Sequence, residues 1–348
     1  MGTRRRRVSV KQDRSKLVKW DDLRMEIISN PTQHEIKKAA KALKDGHLVA
    51  FPTETVYGLG ADATNENAVA HIYSAKGRPT DHPLIVHISS INQLDKWTID
   101  VPRYAIELAR EFWPGPMTLI LKRSELAKDF ITGGQDNVGL RVPDQSVALN
   151  LLNEFEELGG FGIAAPSANR FGAVSPTTSE SVEQELGSFL QIEDLILDGG
   201  QSEVGVESSI IDCTKDSPIL LRPGAITSDM IENITGLKVQ FNQNKNEIRA
   251  SGLLESHYSP KAKVVIDETA EPGEGFIALA NIPTPTGVIR LASPENIEEY
   301  ARVLYGALRA GDQKGLKKIK IIQPEGDGLA LAIRDRSSKA ASGKGSVR

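Results

Sequence analysis

Two fixed cations lie on either side of a glycine in this chain, at Lys76 and Arg78. A turn that presents an ammonium and a guanidinium group can hold an anion, and a polyphosphate suits two such charges best. The alternative is a solvated turn with exposed charges, which is the common fate of an isolated Lys-x-Arg sequence. Pro79 and Pro83 favour the binding turn, because they restrict the loop and reduce the entropy lost on binding.

Several apolar runs that are typical of buried strands end in polar or cationic residues, where sites usually lie in α/β proteins. Arg141 lies inside such a run, and a buried arginine needs a partner, either a protein carboxylate or an anionic ligand. His87 ends another run, and an isolated histidine there is more often a structural residue than a ligand. The other segments of this kind span residues 52–60, 164–169, 205–212 and 220–224. Each alone is consistent with an ordinary turn, but one site that gathered them would be cationic and rich in hydroxyl groups.

The sequence lacks the motifs of several common enzyme classes. It has no Gly-x-x-x-x-Gly-Lys-[Ser/Thr] loop for phosphate, no His-Glu-x-x-His pair for zinc and no Gly-x-Ser-x-Gly nucleophile turn. Cys213, the sole cysteine, lies in a predicted strand and is a poor nucleophile candidate. The chain therefore predicts a nucleotide enzyme that works by positioning and charge stabilisation, without a covalent intermediate.

The elements that must position these residues fall into two groups. Helical and strand patterns mix without strict alternation over residues 32–236, which predicts an α/β domain with a twisted mixed sheet. From Lys261 onward strands and helices alternate, which predicts a small parallel-sheet domain, and a polar stretch between the two groups is predicted to be a linker. The predicted boundaries are a disordered basic arm at 1–24, a first domain at 25–236, a linker at 237–260, a second domain at 261–340 and a loose tail at 341–348.

The bulk composition is that of a globular protein with ample material for a core, since hydrophobic residues make up 39% and charged residues 25%. The formal charge is 42 − 46 = −4, which by itself suggests no nucleic-acid or membrane partner. Residues 1–24 differ, because they hold nine Lys/Arg and three Asp/Glu and could contact RNA weakly. A single cysteine excludes disulfide frameworks, and with no secretory signal or membrane-length segment a cytoplasmic location is expected.

Taken in order, these segments resemble the threonylcarbamoyl-AMP synthase family in its longer form, which has a YrdC-like catalytic domain, a linker and a small C-terminal domain. The resemblance implies an α/β fold in which a twisted mixed-sheet YrdC-like domain with a cationic cavity precedes a small Rossmann-like parallel-sheet domain. The motifs that carry the resemblance lie at residues 52–60, 76–79, 83–87, 113–118, 138–143, 165–169, 205–209, 221–224 and, at the end of the linker, 256–261.

The resemblance implies a nucleotidyltransferase that works in two stages. L-threonine and bicarbonate would form N-carboxy-threonine, whose carbamate oxygen would attack the α-phosphate of ATP and release pyrophosphate. Separate partner proteins would then transfer the threonylcarbamoyl group from the adenylate to an adenosine beside the anticodon of certain tRNAs. Mg²⁺ would accompany ATP and be held mainly by its phosphates, with no protein ligand assigned.

The resemblance also assigns roles to individual residues. Lys76 and Arg78 would be catalytic, because they would lessen the repulsion between two anionic reactants and stabilise the leaving pyrophosphate. Arg141 would meet the carboxylate of threonine, and Tyr258 would reach back from the linker to ATP, so that the linker acts as a lid. The implied threonine-binding residues are Thr55, His87, Arg141, Ala165 and Ser208. The implied ATP-binding residues are Arg78, His82, Asn137, Ser167, Ser175, Arg222 and Tyr258.

Position 82 departs from the family pattern, since His82 stands where asparagine is usual and a histidine makes the ATP contact pH-sensitive in principle. The linker sequence at 251–254 also lacks the usual lead-in. A non-catalytic RNA-binding module of the same fold is the alternative function, but the chain outside the arm is acidic and aromatic residues make up only 5%. A carbamoyl-transfer enzyme of the hydrogenase-maturation type would need zinc-binding cysteines, which one cysteine cannot provide.

Overall fold

The computed structural model describes residues 26–241, 248–250, 252 and 258–343. The predicted basic arm at 1–24 lies outside the described residues, and so do residues 251, 253–254 and 256–257 of the linker motifs and the last five residues of the predicted tail. Within the described ranges, no helix is both long enough and apolar enough to cross a membrane.

The first domain is built on one large mixed sheet, as the sequence predicts, and eleven strands of the described residues take part in it. The strands, in chain order, are β1 (Glu26–Ser29), β2 (Val49–Phe51), β3 (Gly58–Asp62), β4 (Ile85–His87), β5 (Met117–Lys122), β6 (Asn137–Arg141), β7 (Ile163–Ala164), β8 (Leu195–Asp198), β9 (Ser209–Asp212), β10 (Ile219–Arg222) and β11 (Gln240–Phe241). Their order across the sheet is β1-β8-β2-β3-β7-β4-β6-β5-β9-β10-β11.

Helices of the first domain pack on this sheet with their apolar stripes toward it. They are α1 (Gln33–Lys44), α2 (Glu66–Lys76), α3 (Leu94–Trp97), α4 (Arg103–Phe112), α5 (Asp129–Thr132), α6 (Ser146–Glu157), α7 (Ser179–Leu186) and α8 (Ser228–Thr235). The Thr32-x-x-Glu35 sequence predicts a capping box, and the structure confirms it at the start of α1, where the main-chain N–H of Thr32 donates to Glu35 Oε2 at 2.7 Å. Ile36 and Leu43 are buried on its inner face, as their helical spacing predicts.

The second domain has the predicted parallel sheet. Its strands are β12 (Lys263–Ile266), β13 (Gly275–Ile277), β14 (Ile289–Ala292) and β15 (Lys318–Ile321), and its helices are α9 (Ile297–Gln313) and α10 (Leu329–Ser342). The strand order is β12-β15-β13-β14, and every pair in it is parallel. Both helices pack on the sheet through buried faces, so this unit has its own apolar core.

The two domains contact each other closely along α9. Arg309 forms an ion pair with Glu185 of α7, with Nη1 and Oε1 2.8 Å apart, and Arg302 Nε donates to the main-chain oxygen of Glu203 at 2.9 Å. The ring of Tyr258 stacks on that of Tyr305, with centroids 5.5 Å apart. Val56, Val174 and Val206 of the first domain belong to the same apolar cluster as the second-domain core. Apolar burial and charged contacts therefore both hold the domains together.

Several parts of the fold differ from, or add to, the sequence-based expectations. The sequence did not predict β1, α3 or the helices α5 to α8, and β3 begins within the segment 52–60, which alone was consistent with an ordinary turn. Gly58 and Gly60 weaken the strand signal there, yet Gly60 is needed because a Cβ would come 2.7 Å from Ile163 Cγ2 and 2.8 Å from the ring of Phe51. In the predicted linker, residues 240–241 form β11 against β10, and α10 continues to Ser342, inside the predicted tail.

Candidate active site

Four strand ends meet at one edge of the large sheet. β4 and β6 run parallel and place His87 beside Arg141 at their carboxyl ends. β5 runs antiparallel to β6 and parallel to β9, so the residues that precede β9 come to the same edge. β10 runs antiparallel to β9 and ends there at Arg222. The topology therefore gathers the polar strand ends, as the sequence predicts.

A cavity of about 50 Å³ lies at this edge. Nine of the predicted site residues line it: Thr55, Arg78, His87, Arg141, Ala165, Ser167, Ser208, Arg222 and Tyr258. Three of them are buried arginines, so the wall is cationic. The cavity has room for a few water molecules only and is far smaller than the roughly 300–1,000 Å³ of ordinary ligand pockets. Gly252 and Tyr258 of the linker belong to its wall, so these two residues are placed to close it.

The partner of Arg141 is a protein carboxylate. Arg141 Nη2 lies 2.7 Å from Glu54 Oε1, and both side chains are almost fully buried. Arg141 Nε has no hydrogen-bond partner among the described residues, so the guanidinium keeps a donor for a further anion. Beside this pair, the hydroxyl oxygens of Thr53 and Thr55 are 2.8 Å apart. We call Glu54, Thr55, His87 and Arg141 the Glu54 cluster.

His87 is buried in the Glu54 cluster. Burial and, to a smaller extent, the charge of Arg141 lower the pKa of His87 to about 3, so its imidazole is neutral at physiological pH. Its Nδ1 atom has no hydrogen-bond partner within the described part of the chain. The ring therefore offers a neutral hydrogen-bonding group to a molecule in the cavity and adds no charge to the site.

Arg78 reaches the cavity because α2 ends just before it. Gly77 adopts the left-handed conformation that caps the helix, with φ of 61°, and the chain then turns back. Arg78 Nη2 donates to the main-chain oxygen of Pro83 at 2.9 Å, and the guanidinium lies 5.7 Å from the ring centroid of Phe171. Burial lowers the pKa of Arg78 to about 10, which leaves it a cation at neutral pH.

Lys76 does not line the cavity, although it was predicted beside Arg78 as a catalytic cation. It is the last residue of α2, and its Nζ atom donates to the main-chain oxygens of Ser167 and Asn169, each at 2.5 Å. Burial, followed by the charge of Arg78, lowers the pKa of Lys76 well below its usual 10.5. In this arrangement Lys76 fixes the loop that carries Ser167.

A second group of cavity residues surrounds Glu207. Arg222 donates from Nε and Nη2 to the main-chain oxygen of Ser208, at 3.0 and 2.8 Å, and from Nη2 to the Ser208 hydroxyl at 3.1 Å. The Ser175 hydroxyl donates to Glu207 Oε1 at 2.6 Å. We call Glu207, Ser208, Arg222 and Tyr258 the Glu207 cluster. Because Arg222 is tied to the main chain, the cationic wall here is rigid.

Besides Lys76, three of the predicted ATP-binding residues lie outside the cavity wall. Ser175 touches the wall through its hydrogen bond to Glu207. The ring of His82 packs edge-on against Phe171, with centroids 5.3 Å apart, and burial lowers its pKa. Asn137 begins β6 and is paired with Lys122, at the opposite edge of the sheet from Arg141. The structure therefore does not bring Asn137 to the cavity.

No group of three or more His, Cys, Asp or Glu side chains is arranged to hold a metal ion among the residues that the structure describes. The two carboxylates of the clusters also have cationic neighbours. Glu54 is paired with Arg141. Burial alone would raise the pKa of Glu207, but the charges of Arg336 and Arg222 and the hydrogen bonds to Glu207 together lower this pKa to about 2. Glu207 is therefore charged at neutral pH, and both carboxylates are engaged with protein groups.

Sequence models of two protein families match this chain. The family described as "Telomere recombination", which groups Sua5, YciO and YrdC proteins, matches residues 41–224, and the family described as "Threonylcarbamoyl-AMP synthase, C-terminal domain" matches residues 226–342. The chain belongs to the threonylcarbamoyl-AMP synthase family. The resemblance found in the sequence motifs is thereby confirmed, and it extends over the second domain.

Relatives and solved structures agree with this family. The threonylcarbamoyl-AMP synthase of Pyrococcus abyssi is 40% identical over 326 residues, which cover 88% of this chain and 94% of the relative. The synthase of Bacillus subtilis is 38% identical and covers 93% of this chain and 97% of the relative. A crystal structure of P. abyssi Sua5 complexed with L-threonine superposes with a TM-score of 0.83 at 38% identity, and covers 91% of this chain and 98% of that one. The predicted fold is confirmed, and a catalytic function is favoured over an RNA-binding module.

Two buried carboxylates, Glu54 beside the cavity and Glu207 in its wall, were missed as site residues. Glu54 and Glu207 both lie inside motifs that carry the resemblance to the threonylcarbamoyl-AMP synthase family, at residues 52–60 and 205–209. A signal was available for Glu54, because a buried Arg141 requires either a carboxylate or an anion and Glu54 is the carboxylate of the polar motif at residues 52–60. For Glu207 the sequence gives no comparable signal, since its principal partners lie more than ninety residues away.

Proposed function

We propose that this protein forms threonylcarbamoyl-AMP and pyrophosphate from L-threonine, bicarbonate and ATP. The observation that carries the proposal is the convergence of Arg78, Arg141 and Arg222 on one cavity, all three buried. N-carboxy-threonine and ATP are both anions, so the barrier to their reaction is largely electrostatic. Fixed guanidinium groups in a low-dielectric site offset that repulsion more strongly than water does. The names of the relatives support the same activity.

The Glu54 cluster is the proposed threonine site. Arg141 Nε, which has no hydrogen-bond partner among the described residues, can donate to the carboxylate of the amino acid, while Glu54 keeps the guanidinium in position. His87 remains neutral and can hydrogen-bond the substrate without attracting a second anion to this place. Thr55 and Ala165 complete the wall, whereas Ser208, which the resemblance assigned to threonine, binds Arg222 in the Glu207 cluster. The structure of P. abyssi Sua5 complexed with L-threonine, which superposes on this chain, supports a threonine site in the same fold.

The Glu207 cluster and Arg78 are proposed to hold the nucleotide. In the reaction the carbamate oxygen forms a bond to the α-phosphorus, and the bond from that phosphorus to the bridging oxygen of the β-phosphate breaks. The electron pair leaves with pyrophosphate, and no proton has to move. Arg78 and Arg222 would stabilise the charge on the phosphates, with Ser167 and Ser175 beside them. Lys76 would act by holding the Ser167 loop.

Mg²⁺ is proposed to accompany ATP. The carboxylates beside the cavity, Glu54 and Glu207, are each engaged with an arginine, so the residues fit a metal that is held mainly by phosphate oxygens rather than by the protein. When bound, the ion would offset part of the phosphate charge.

The linker is proposed to act as a lid. Gly252 and Tyr258 of the linker lie in the cavity wall beside Arg222, so their movement would change the space that is available to the nucleotide. Closing of the lid would keep water from the labile adenylate. The adenylate would then pass to separate proteins that transfer the threonylcarbamoyl group to tRNA. Because ATP and tRNA occur together in the cytoplasm, we propose that the protein works there.

The activity is tested by incubating the protein with ATP, Mg²⁺ and bicarbonate, with and without threonine. We expect pyrophosphate release that requires both threonine and bicarbonate, together with an adenylate that mass spectrometry identifies as threonylcarbamoyl-AMP. A folded protein that releases no pyrophosphate in response to threonine would contradict the proposal. RNA binding that depends on salt and is unaffected by ATP and threonine would instead favour the binding module.

The two cations of the Lys76–Arg78 segment are expected to differ. Arg78→Ala should lower pyrophosphate release by roughly 100-fold or more, because a preorganised donor is lost, while the melting temperature stays near that of the wild type. Lys76→Met should lower both pyrophosphate release and the melting temperature, since the main-chain oxygens of Ser167 and Asn169 lose a hydrogen-bond donor. Arg103→Ala, on an exposed side chain of α4, is the control. Full turnover in Arg78→Ala would contradict the phosphate role.

A further inference from the structure

Glu207 is held mainly by the second domain. Tyr305 of α9 donates its hydroxyl to Glu207 Oε2 at 2.8 Å, and Arg336 of α10 donates Nε to the same oxygen at 3.0 Å. Arg336 Nη2 also approaches the main-chain oxygen of Glu207, at 3.3 Å. Ser175 supplies the contact to the other carboxylate oxygen. A carboxylate in the wall of the cavity is therefore oriented by side chains that lie outside the catalytic domain.

Burial fixes both Arg336 and Tyr305 in their contacts with Glu207. Arg336 is completely buried, and its other neighbours are Asp335, at 2.6 Å, and the ring of Tyr258, 5.6 Å from the guanidinium carbon. Burial raises the pKa of Tyr305 well above 10, so its phenol keeps the proton that it donates. A buried arginine and a buried tyrosine that both converge on one carboxylate fix its position and compensate its charge.

This compensation matters because the proposed ligand at this place is a polyanion. A carboxylate that lacked its cationic partner would repel the phosphates of ATP, and one that turned toward Arg222 would compete with them for that guanidinium. The Glu207 backbone also leads directly into Ser208, whose oxygen atoms bind Arg222. Displacing Glu207 would thus disturb the cationic wall as well.

We propose that Tyr305 and Arg336 are positioning residues for nucleotide binding, and that they act from the second domain by holding Glu207 in place. The inference rests on the proposed synthase function. The catalytic pocket is then completed by the docking of the second domain, and the Glu54 cluster, which has no partner from that domain among the described residues, is not affected. ATP binding should depend on the interface, and threonine binding should not.

The decisive comparison is between two tyrosines of the same helix. Tyr305→Phe removes only the hydroxyl that reaches Glu207, whereas Tyr300→Phe removes an equally buried hydroxyl that donates to Ile277 and Ile322 inside the second domain. Pyrophosphate release is measured at varied ATP and varied threonine, and the affinity for a non-hydrolysable ATP analogue is measured by calorimetry. Tyr305→Phe should raise the KM for ATP roughly tenfold, while its KM for threonine and the constants of Tyr300→Phe change less than about twofold.

A charge test separates positioning from general stability. Arg336→Met should weaken binding of the ATP analogue by roughly tenfold or more, and the double variant Glu207→Gln/Arg336→Met should regain much of that loss, because the uncompensated charge is gone. Arg334→Met is the control on the same helix, since the Arg334 side chain donates to the main-chain oxygens of Pro324 and Gly326 in its own domain. All variants are compared at equal folded fraction, which is checked by thermal unfolding.

The outcomes distinguish this inference from the proposed function. If Tyr305→Phe matches Tyr300→Phe in its KM for ATP, or if the KM values for ATP and threonine rise together, the second domain does not position the nucleotide site. Failure of the double variant to improve on Arg336→Met would also contradict it. A wild-type protein without threonine-dependent pyrophosphate release would instead overturn the proposed function.

Discussion

Glu54 and Glu207 are both buried carboxylates beside the cavity, but different parts of the chain compensate their charges. Glu54 lies 2.7 Å from Arg141, which belongs to the same domain. Glu207 is bound by Tyr305 and Arg336, which come from the second domain. The Glu54 cluster is therefore complete as soon as the first domain folds, whereas the Glu207 cluster also requires the two domains to dock.

The clusters also differ in how many partners they have. The carboxylate oxygens of Glu54 make no hydrogen bond to any described residue besides the ion pair to Arg141. Glu207 accepts hydrogen bonds from Ser175 and from two second-domain residues. Loss of one partner should consequently lower stability more at Glu54, where no other described residue compensates the charge, than at Glu207.

The largest expected effect follows from this asymmetry. Arg141→Met should lower the free energy of unfolding by about 3–5 kcal/mol, because it leaves Glu54 buried and uncompensated. Arg336→Met should lower it by only about 1–3 kcal/mol, since Glu207 keeps its hydrogen bonds. Urea unfolding measures both values. The double variant Arg141→Met/Glu54→Gln should recover most of the lost free energy of unfolding. A double variant as unstable as Arg141→Met would show that the charge of Glu54 does not cause the loss.

A smaller effect separates the two clusters by substrate. Arg141→Lys should raise the KM for threonine by roughly 10–100-fold and leave the KM for ATP nearly unchanged, because an ammonium group cannot reproduce the planar fork of the guanidinium. Arg222→Lys should raise the KM for ATP and leave the KM for threonine nearly unchanged. Steady-state pyrophosphate release at varied concentrations of each substrate measures the four constants. If both variants raise both constants equally, the clusters work as one site and the comparison fails.

The domain interface can be loosened with a still smaller change. Gly205 and Gly200 both have left-handed φ values, 78° and 84°. A Cβ at Gly205 would lie 2.4 Å from the Cα atom of Arg302 on α9, whereas a Cβ at Gly200 meets nothing within 4 Å. Each change to alanine should lower the free energy of unfolding by about 1–2 kcal/mol because of the left-handed backbone conformation. Gly205→Ala should lower it by about 1–2 kcal/mol more because of the clash with α9. Unfolding in urea gives the difference.

The same pair of variants tests the connection between the interface and the site. Gly205→Ala should raise the KM for ATP several-fold more than Gly200→Ala does, because Glu207 follows two residues later and is held by the displaced domain. Threonine constants should stay alike in the two variants. Gly205→Ala could prove less stable than Gly200→Ala and yet have the same KM for ATP. That result would show that the nucleotide site tolerates movement of the second domain.

The features of the fold and site that could be predicted are those fixed by local sequence. An apolar run that contains Arg141 and another that ends at His87 predicted two strands, and parallel neighbours bring their carboxyl ends to one edge of a sheet. The alternation after Lys261 likewise predicted a parallel sheet, which the structure contains. Arg141 required a partner, and Glu54 was within the possibilities that were left open.

The features that could not be predicted depend on packing between distant segments. Arg336 lies on an ordinary helix next to Arg334, and the sequence does not show which of the two arginines turns toward Glu207. A lysine at a helix end has the same local pattern whether it faces a ligand or, like Lys76, two main-chain oxygens. Such contacts require the full three-dimensional arrangement, because they join residues that are far apart in the chain.

The smallest expected effect is the pH dependence of the free energy of unfolding that His87 causes, and it also distinguishes the two clusters. The folded protein holds the pKa of His87 at about 3, while 6.5 is usual for an unfolded chain. Between these values the unfolded chain binds more protons, so the free energy of unfolding decreases as the pH falls from about 6.5 toward 3. In Glu207 the corresponding loss occurs only between about 4.5 and 2. His87→Gln should therefore flatten the decline between pH 6.5 and 5, and Glu207→Gln should not. Urea unfolding at pH 7.5, 6 and 5 measures both slopes, and an unchanged slope in His87→Gln would mean that the ring is protonated in the folded site.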